Sequence, residues 1–272
     1  MQTCLNGATA MPYSLEQDIS SAARAGFDCL ELWGSKFDHF FQDHTIADLA
    51  QVLQSHRLQP AAIDLISVDL NNPEPLAGAM PALRRYGEIA LGIGCHTLLL
   101  IITGQRPGLS KAEVLNFVAK LMLPLTDAAA RYGLRLAIEP LGRDPLVPGP
   151  NEALEIIQIS KRDNLGLVWD FFHYYKSGVP LADIQRIRPE RLLLVHANDV
   201  PDKDPASLKD SDRLWPGEGV MPLDDYFEVL RDLRYTGPVS VEVFNQDYWR
   251  MDPEAIAREA YESLEEFLPV RF

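Results

Sequence analysis

Short apolar runs alternate with longer segments of helical periodicity along the chain, and this alternation constrains the fold more than any other feature. The eight runs predicted to be buried strands are residues 2–5, 28–32, 60–66, 97–102, 134–138, 165–169, 191–195 and 238–243. The eight segments predicted to be helices are residues 14–25, 45–56, 75–91, 111–132, 151–160, 181–188, 223–234 and 253–268. Such an alternation is typical of a parallel sheet, because parallel neighbours are joined by helical crossovers.

Eight strand–helix units in 272 residues predict a single (β/α)₈ TIM barrel that occupies residues 1–272. The alternative is a doubly wound open sheet, which is expected to carry a glycine-rich phosphate loop after a strand. The segment GIGCHT at 92–97 begins like such a loop, but Thr97 replaces the third glycine and the segment precedes a strand. The barrel is therefore favoured, and no linker to a second domain is visible.

Polar residues mark the expected starts of three helices. Ser14 and Ser110 each stand three residues before a Gln or Glu, which is the spacing of a capping box. Asp252 directly precedes a proline, a pattern typical of an N-cap followed by the first helical turn. These three positions are predicted helix N-caps.

The formal net charge of −14 limits the partners that the chain is expected to bind. An acidic chain repels phosphate backbones, so we expect no nucleic-acid partner, whereas a small-molecule substrate is compatible with a local site. The longest apolar run, TLLLII at 97–102, is too short to cross a membrane, and the N-terminus lacks the pattern of a secretory signal. We therefore expect a cytoplasmic protein without a membrane partner, and the sequence leaves open a homo-oligomer.

The three cysteines, Cys4, Cys29 and Cys95, lie in apolar, strand-like contexts. Their number is odd, their spacing is wide and no CxxC pair exists. These features favour reduced thiols in the core over a disulfide or a thiolate metal site.

Four consecutive predicted strands end on side chains that can bind a metal ion. Glu139 follows strand five, Asp170 ends strand six, His196 ends strand seven and Glu242 lies at the end of strand eight. A closed barrel brings neighbouring carboxyl-terminal strand ends together, which is where TIM-barrel active sites lie. Three carboxylates placed together would repel one another unless a cation compensates them. The sequence predicts a site for one divalent ion, and its oxygen and nitrogen ligands suit Mn²⁺, Co²⁺, Zn²⁺ or Mg²⁺.

A metal site of this composition indicates chemistry on a hydroxy-ketone. A divalent ion chelated by a carbonyl and a neighbouring hydroxyl acidifies the carbon beside the carbonyl and stabilises the enediolate formed on deprotonation. Two carboxylates beside the substrate can take and return the proton. The expected reaction class is isomerisation or epimerisation of a polyol ketone or ketose.

Further polar and aromatic residues near the strand ends are candidate substrate-binding groups. His173 follows Asp170 by three residues, Asn6 follows strand one, and the loop DRLWPGEG supplies Arg213 and Trp215. His173, Asn6 and Arg213 also have structural interpretations, as a loop histidine, a turn residue and a surface ion pair, whereas Trp215 is expected to exclude water from the site. Asp199 is a candidate supporting residue or the start of that loop. Four aromatic residues are candidates either for a lid or for burial at the barrel mouth: Trp33, Phe37, Phe40 and Phe41.

Several motifs make the chain resemble the xylose-isomerase-like TIM-barrel superfamily of sugar isomerases and epimerases and endonuclease-IV-like proteins. They are CLNGAT, DHTIADLA, LAIEPLG, NLGLVWDFFHYYKSG, DRLWPGEG and VSVEVF, spread from the first strand to the last. Within the superfamily the chain looks most like the inosose (2-keto-myo-inositol) isomerases of inositol catabolism. The inosose isomerases tend to carry an acidic residue in the first-strand motif, whereas this chain has Gly7.

The resemblance implies specific roles for several residues. It implies that the four strand-end residues are the metal ligands and that Glu139 and Glu242 also form the acid/base pair that moves the proton. It implies that His173 and Arg213 line the substrate pocket. The replacement at Gly7 removes one substrate contact and leaves the identity of the polyol open.

Related activities on the same scaffold remain alternatives at this point. They are 3-dehydroshikimate dehydratase, hydroxypyruvate isomerase and ketose 3-epimerase, which share the metal site and the initial proton abstraction. A nuclease of the endonuclease IV type is disfavoured, because strands three and four end without a ligand-like histidine and the chain is acidic. A sugar-binding protein without activity is disfavoured by the complete set of four ligands.

Overall fold

The computed structural model describes residues 1–268. Eight parallel strands pair in sequence order and close into a barrel, with the eighth strand beside the first. The strands are β1 (Gln2–Asn6), β2 (Cys29–Trp33), β3 (Gln59–Asp69), β4 (Thr97–Thr103), β5 (Arg135–Ile138), β6 (Leu165–Asp170), β7 (Leu192–Ala197) and β8 (Pro238–Val241). The predicted (β/α)₈ architecture is confirmed.

Helices connect the strands and pack around the barrel. They are α1 (Leu15–Ala25), α2 (Phe37–Phe40), α3 (Ile46–Ser55), α4 (Ala79–Ile93), α5 (Lys111–Ala130), α6 (Pro150–Ser160), α7 (Phe171–Ser177), α8 (Leu181–Ile184), α9 (Leu223–Asp232) and α10 (Pro253–Glu265). The three predicted N-caps are confirmed, because the side chains of Ser14, Ser110 and Asp252 accept hydrogen bonds from backbone N–H groups of their helices. None of the helices within residues 1–268 combines the length and apolar character needed to cross a bilayer.

Three short helices in the described chain differ from the sequence prediction. Helices α2 and α7 fall where the sequence predicted loops, and α8 ends at Ile184 rather than at residue 188. Helix α7 begins directly after β6, because the side chain of Asp170 caps it through the N–H group of Phe172. Its C-cap is Gly178, at φ 65°.

Residues alternate between two cores along the strands. Leu136 and Ile138 of β5 belong to the large apolar cluster shared with the surrounding helices, whereas Ala137 belongs to a smaller cluster formed by residues of neighbouring strands. The smaller cluster therefore fills the barrel interior, and its members include Ala62, Leu99, Ala137, Val168 and Leu194. Because strand side chains alternate with a period of two, the residue two positions further on faces the barrel axis as well.

The three cysteines are buried and free of disulfides, as the sequence predicted. Cys4 and Cys29 are register partners on β1 and β2. Burial raises the pKa of the Cys4 thiol well above its ordinary value, so it stays protonated at neutral pH.

Candidate active site

The four strand-end residues converge at the carboxyl-terminal rim of the barrel. Glu139, Asp170 and His196 lie two positions beyond Ala137, Val168 and Leu194, so the interior alternation turns each of them towards the axis. Glu242 follows β8 directly. All four are buried, and one ligand atom from each lies within 4.8 Å of the others.

His196 is the centre of this cluster. Its Nδ1 atom lies 3.1 Å from Oε1 of Glu139 and 3.1 Å from Oε2 of Glu242. Its Nε2 atom lies 3.1 Å from Oε1 of Glu31, the middle residue of β2. A proton on Nε2 donated to Glu31 leaves the Nδ1 lone pair directed at the cluster, which is the arrangement that a metal-binding histidine needs.

Arg213 supplies a buried positive charge. Its Nη1 atom lies 2.8 Å from Oδ2 of Asp170 and 2.8 Å from Oε2 of Glu242, and its Nη2 atom donates to Asp210 at 3.0 Å. The guanidinium is held between two aromatic rings, at 4.5 Å from the centroid of Phe172 and 5.3 Å from that of Phe244. These contacts fix its position by cation–π attraction as well as by charge.

Burial and neighbouring charges shift the pKa values of the two glutamates and of Asp170 in opposite directions. Burial raises the pKa of both Glu139 and Glu242, although His196 and Arg213 act in the opposite direction. Burial also opposes ionisation of Asp170, but Arg213, His173 and His196 together outweigh it and hold the pKa of Asp170 well below the usual range. The two glutamates are thus the groups with the greater tendency to hold a proton.

The cluster fits a divalent metal ion. The Oδ2 atom of Asp170 is buried, and among the described residues it has an ion-pair contact with Arg213 but no assigned hydrogen bond. Asn198 and the N–H group of Phe172 satisfy the other oxygen, Oδ1, and so orient the carboxylate. Three carboxylates and one imidazole form a mixed oxygen and nitrogen donor set of the kind that Mn²⁺, Co²⁺, Zn²⁺ and Mg²⁺ accept.

A cavity of about 450 Å³ opens beside the cluster. Glu139 and Glu242 line it, together with the predicted substrate-binding residues His173 and Arg213. Its remaining walls are formed by Trp33, Asp64, Leu65, Ile101, Leu141, Gly142, Lys176, Asp210 and Phe244. The volume falls within the range of small-molecule sites.

Two other predicted substrate-binding residues lie outside the cavity lining. Asn6 is fully buried and donates from Nδ2 to Oε1 of Glu242 at 3.2 Å, so it orients that carboxylate. Trp215 is stacked on Tyr248 with ring centroids 4.2 Å apart. The structure therefore gives Asn6 a supporting position and gives Trp215 a packing position within the loop.

The candidate lid residues also divide into two groups. Phe37 and Phe40 are buried in the large apolar cluster, and Phe41 packs against it. Trp33 lines the cavity and contacts the ring of Phe244 edge-on. The first group belongs to the core, and Trp33 belongs to the wall of the site.

Asp199 organises the long loop that carries Arg213. Its two carboxylate oxygens accept hydrogen bonds from four backbone N–H groups, those of Val200, Gly217, Gly219 and Met221. Its own backbone pairs with Leu214, the residue after Arg213. Asp199 therefore fixes the loop, and these four hydrogen bonds of its side chain all lie within the loop rather than at the four-residue cluster.

Sequence reasoning missed Glu31, Asp64 and Asn198. Glu31 lies two positions after Cys29, and Asp64 lies two positions after Ala62, which faces the barrel interior. The alternation of side chains with a period of two therefore indicates that both residues face the barrel axis. The prediction of the site rested on polar residues at the strand ends, and these two residues lie inside their strands. Asn198 follows β7 directly and lies between His196 and Asp199, the two residues that the sequence analysis selected from this segment.

A closed (β/α)₈ barrel with a buried cluster of ionisable side chains at its carboxyl-terminal rim is the architecture of a TIM-barrel enzyme. The chain belongs to the xylose isomerase-like TIM barrel family, whose model matches residues 19–267. The family resemblance seen in the sequence motifs is confirmed.

Similar proteins carry isomerase names. A protein of Bacillus velezensis named inosose isomerase is 28% identical over 273 residues, covering 97% of this chain and 96% of its own. A Halalkalibacterium halodurans protein of the same name is 28% identical over 280 residues, covering 100% of this chain and 98% of its own. A crystal structure of the IOLI protein with a zinc atom matches with a TM-score of 0.90 and 26% identity, over 98% of each chain. These similarities support a sugar isomerase or epimerase, and the zinc atom of that neighbour is consistent with a divalent ion at the four-residue cluster.

Proposed function

We propose that the protein is a divalent-metal-dependent isomerase or epimerase of a polyol ketone, with an inosose as the substrate class. The observation that carries the proposal is the position of Glu139 and Glu242, which belong to the four-residue cluster and also line the cavity. Two carboxylates on opposite sides of one bound substrate are the groups that a reversible proton transfer between neighbouring carbons requires. The names of the similar proteins support the substrate class.

The residues that would hold the ion are Glu139, Asp170, His196 and Glu242. A divalent ion bound there would act as a Lewis acid on the hydroxy-ketone and make the hydrogen beside the carbonyl more acidic. Whether that ion is zinc, manganese, cobalt or magnesium is a question for metal analysis of the purified protein.

Glu139 and Glu242 would move the proton. Burial raises the pKa of both groups, and a base with a raised pKa holds an abstracted proton more firmly than an exposed carboxylate does. Asn6 donates to Oε1 of Glu242, and Arg213 donates to its Oε2, so that this carboxylate is held in a single orientation. One glutamate removes the proton from one carbon, and the other returns it to the neighbouring carbon. The substrate that binds determines which glutamate acts first.

His173 and Arg213 would bind the oxygen atoms of the substrate. His173 lines the cavity, and its Nε2 atom lies 3.4 Å from Nη2 of Arg213. Burial lowers the pKa of His173, although Asp170 acts in the opposite direction, so the ring is neutral at neutral pH and offers a hydrogen bond without adding a charge. The aromatic and aliphatic walls limit the access of water to the reacting carbons.

Exchange of the substrate α-hydrogen with solvent tests this function. The metal-loaded protein is incubated with 2-keto-myo-inositol in D₂O, and loss of the α-hydrogen signal is followed by NMR. We expect exchange with the wild-type protein and at least a ~100-fold slower rate for Glu139→Gln and Glu242→Gln, since general acid–base groups contribute roughly 10²–10⁴ in rate. Glu155→Gln, an exposed position on α6, is the matched control.

A ketose panel and 3-dehydroshikimate complete the test. Absence of exchange with every polyol ketone and ketose would contradict the proposed function. Loss of water from 3-dehydroshikimate would instead identify a dehydratase on the same scaffold. Full activity of both glutamine variants would leave the isomerase in place and refute the two assigned roles.

A further inference from the structure

Asp64 is a buried carboxyl group that lines the cavity from a different strand than the four-residue cluster. It lies on β3, whereas the cluster residues come from β5 to β8, and it is close enough to interact electrostatically with Glu139 and Glu242. Its side chain lines the cavity, and the residue is 4% exposed. Within residues 1–268, its Oδ1 atom has no hydrogen-bond partner.

The wall around Asp64 is otherwise apolar. The neighbouring lining residues on β2, β3 and β4 are Trp33, Leu65 and Ile101. Asp64 is the ionisable residue among the lining residues of β2 to β4, whereas Glu139, His173 and Arg213 follow β5, β6 and β7 along the chain. A ligand whose reacting carbons lie beside the glutamates would therefore present its far side to Asp64.

We propose that Asp64 binds a hydroxyl group of the polyol ketone that is remote from the reacting carbons, and so selects substrates that are hydroxylated at that position. This inference rests on the proposed function and deepens it. A buried oxygen without a partner is unfavourable in the free protein, and a substrate hydroxyl would satisfy it on binding. The same wall would bind a ketone without that hydroxyl less well, because the unsatisfied oxygen would remain.

The charge environment of Asp64 suits a hydroxyl better than a cation. Burial raises the pKa of Asp64 well above its ordinary value, and the negative charges of Glu31, Glu242 and Glu139 raise it further. A protonated carboxyl group both donates and accepts a hydrogen bond, as a hydroxyl group does. The two groups are therefore complementary.

A structural role for Asp64 makes a different prediction. If the side chain stabilised the barrel, replacing it would lower the free energy of unfolding, as with other buried hydrogen-bonded groups. Since Oδ1 has no protein partner, we expect Asp64→Leu to be at least as stable as the wild-type protein in urea unfolding.

Two probes separate substrate selection from the reaction itself. 2-Keto-myo-inositol carries hydroxyl groups around its ring, whereas 2-hydroxycyclohexanone has the reacting hydroxy-ketone pair and no other hydroxyl. Exchange of the α-hydrogen in D₂O is measured for both with the metal-loaded wild-type protein, Asp64→Leu, Asp64→Ala and Asp64→Asn. Asp69→Asn, at an exposed position on the same strand, is the control.

We expect Asp64→Leu and Asp64→Ala to raise the KM for 2-keto-myo-inositol about tenfold with little change in kcat, which is the loss of one good hydrogen bond. Their kcat/KM for 2-hydroxycyclohexanone should equal that of the wild-type protein. Asp64→Asn keeps a donor and an acceptor and should stay within about threefold of wild type.

Four results would overturn the inference in distinguishable ways. An unchanged KM for 2-keto-myo-inositol in both apolar variants would refute substrate selection by Asp64, and so would an equal loss with both probes; either result leaves the proposed function in place. A fall in kcat without a change in KM would assign Asp64 to the reaction rather than to selection. Absence of exchange by the wild-type protein with either probe would refute the proposed function, and this inference with it.

Discussion

The Nε2 atom of His196 lies 3.1 Å from Oε1 of Glu31, and both side chains are completely inaccessible to solvent. The contact joins β2 to β7 across the barrel interior. It holds the imidazole ring so that Nδ1 faces Glu139 and Glu242. The second oxygen of Glu31, Oε2, is buried without a hydrogen-bond partner within the described residues, so the hydrogen bonding of this carboxylate depends on His196.

Replacing Glu31 should weaken metal binding without removing a ligand. We expect Glu31→Gln to raise the dissociation constant for Zn²⁺ by roughly 10–100-fold, the usual effect of losing a carboxylate behind a metal-binding histidine. Isothermal titration of the metal-free protein measures this directly. Glu88→Gln, on the exposed side of α4, should bind Zn²⁺ like the wild-type protein. Unchanged affinity in Glu31→Gln would show that the ring is oriented by other contacts.

Arg213 and a metal ion should stabilise the same carboxylates. Arg213→Met removes the cation that lies 2.8 Å from both Asp170 and Glu242, so we expect the metal-free protein to lose about 3–5 kcal/mol in its free energy of unfolding. Added Zn²⁺ should then stabilise this variant more than it stabilises the wild-type protein. Urea unfolding in EDTA and in excess Zn²⁺ makes the comparison, with Arg213→Lys as the charge-conserving control. Equal stabilisation of all three proteins by Zn²⁺ would contradict the prediction.

Asp199 should determine the order of the loop that carries Arg213. Asp199→Ala removes the acceptor of four backbone hydrogen bonds, so we expect a loss of about 1–3 kcal/mol in stability and faster hydrogen exchange in residues 212–221. The KM for 2-keto-myo-inositol should rise, because Arg213 lines the cavity. Asp202→Asn, an exposed neighbour in the same loop, should leave all three quantities unchanged. Faster exchange distributed over the whole barrel would indicate global destabilisation instead.

A second buried ion pair should give a pH-dependent stability. The Nζ atom of Lys36 lies 2.6 Å from Oδ2 of Asp18, and burial raises the pKa of Asp18 from 3.8 to about 7. A carboxyl whose pKa is raised by folding loses its stabilising contribution as the pH rises from the unfolded value to the folded value. In Lys36→Met no cation opposes burial, so the folded pKa of Asp18 should rise further and the loss should continue above pH 7.

Urea unfolding of Lys36→Met and the wild-type protein at about pH 6 and about pH 8.5 tests this expectation. The variant should be less stable at both values, and the difference should be larger at the higher pH. Asp18→Leu combined with Lys36→Met removes both charges and should recover most of the lost stability, since a buried pair is often replaceable by apolar residues. A difference that narrows with rising pH would contradict the assigned direction.

The convergence of the four strand-end residues, the quartet, was predictable because their positions follow from topology alone. Once eight parallel strands are expected to close, polar residues at the ends of consecutive strands must meet, whatever the details of packing. Glu139, Asp170, His196 and Glu242 needed no information about rotamers or loops. Their expected convergence is what the cluster geometry displays.

The positions of Glu31, Asp64 and Trp215 were harder to predict, because they depend on strand register and on packing between separate segments. Glu31 and Asp64 lie within β2 and β3, and one residue of register decides whether a side chain faces the barrel axis or the helices. Trp215 was assigned to the substrate by its place in a loop, yet its ring stacks on Tyr248, a residue from another loop. Contacts of that kind arise from the packing of separate segments, which a linear pattern does not encode.

Two groups of neighbouring strands, each forming an arc of the barrel, contribute different residues to the site. The arc from β5 to β8 carries the quartet, whereas β2 to β4 contribute Trp33, Asp64, Leu65 and Ile101 to the facing wall. Substitutions at these four wall positions are therefore expected to alter which ligand the cavity accepts while leaving Glu139, Asp170, His196 and Glu242 in place. A mutant library intended to change the ligand preference should draw its variable positions from that wall, where each change alters recognition without removing a residue of the quartet.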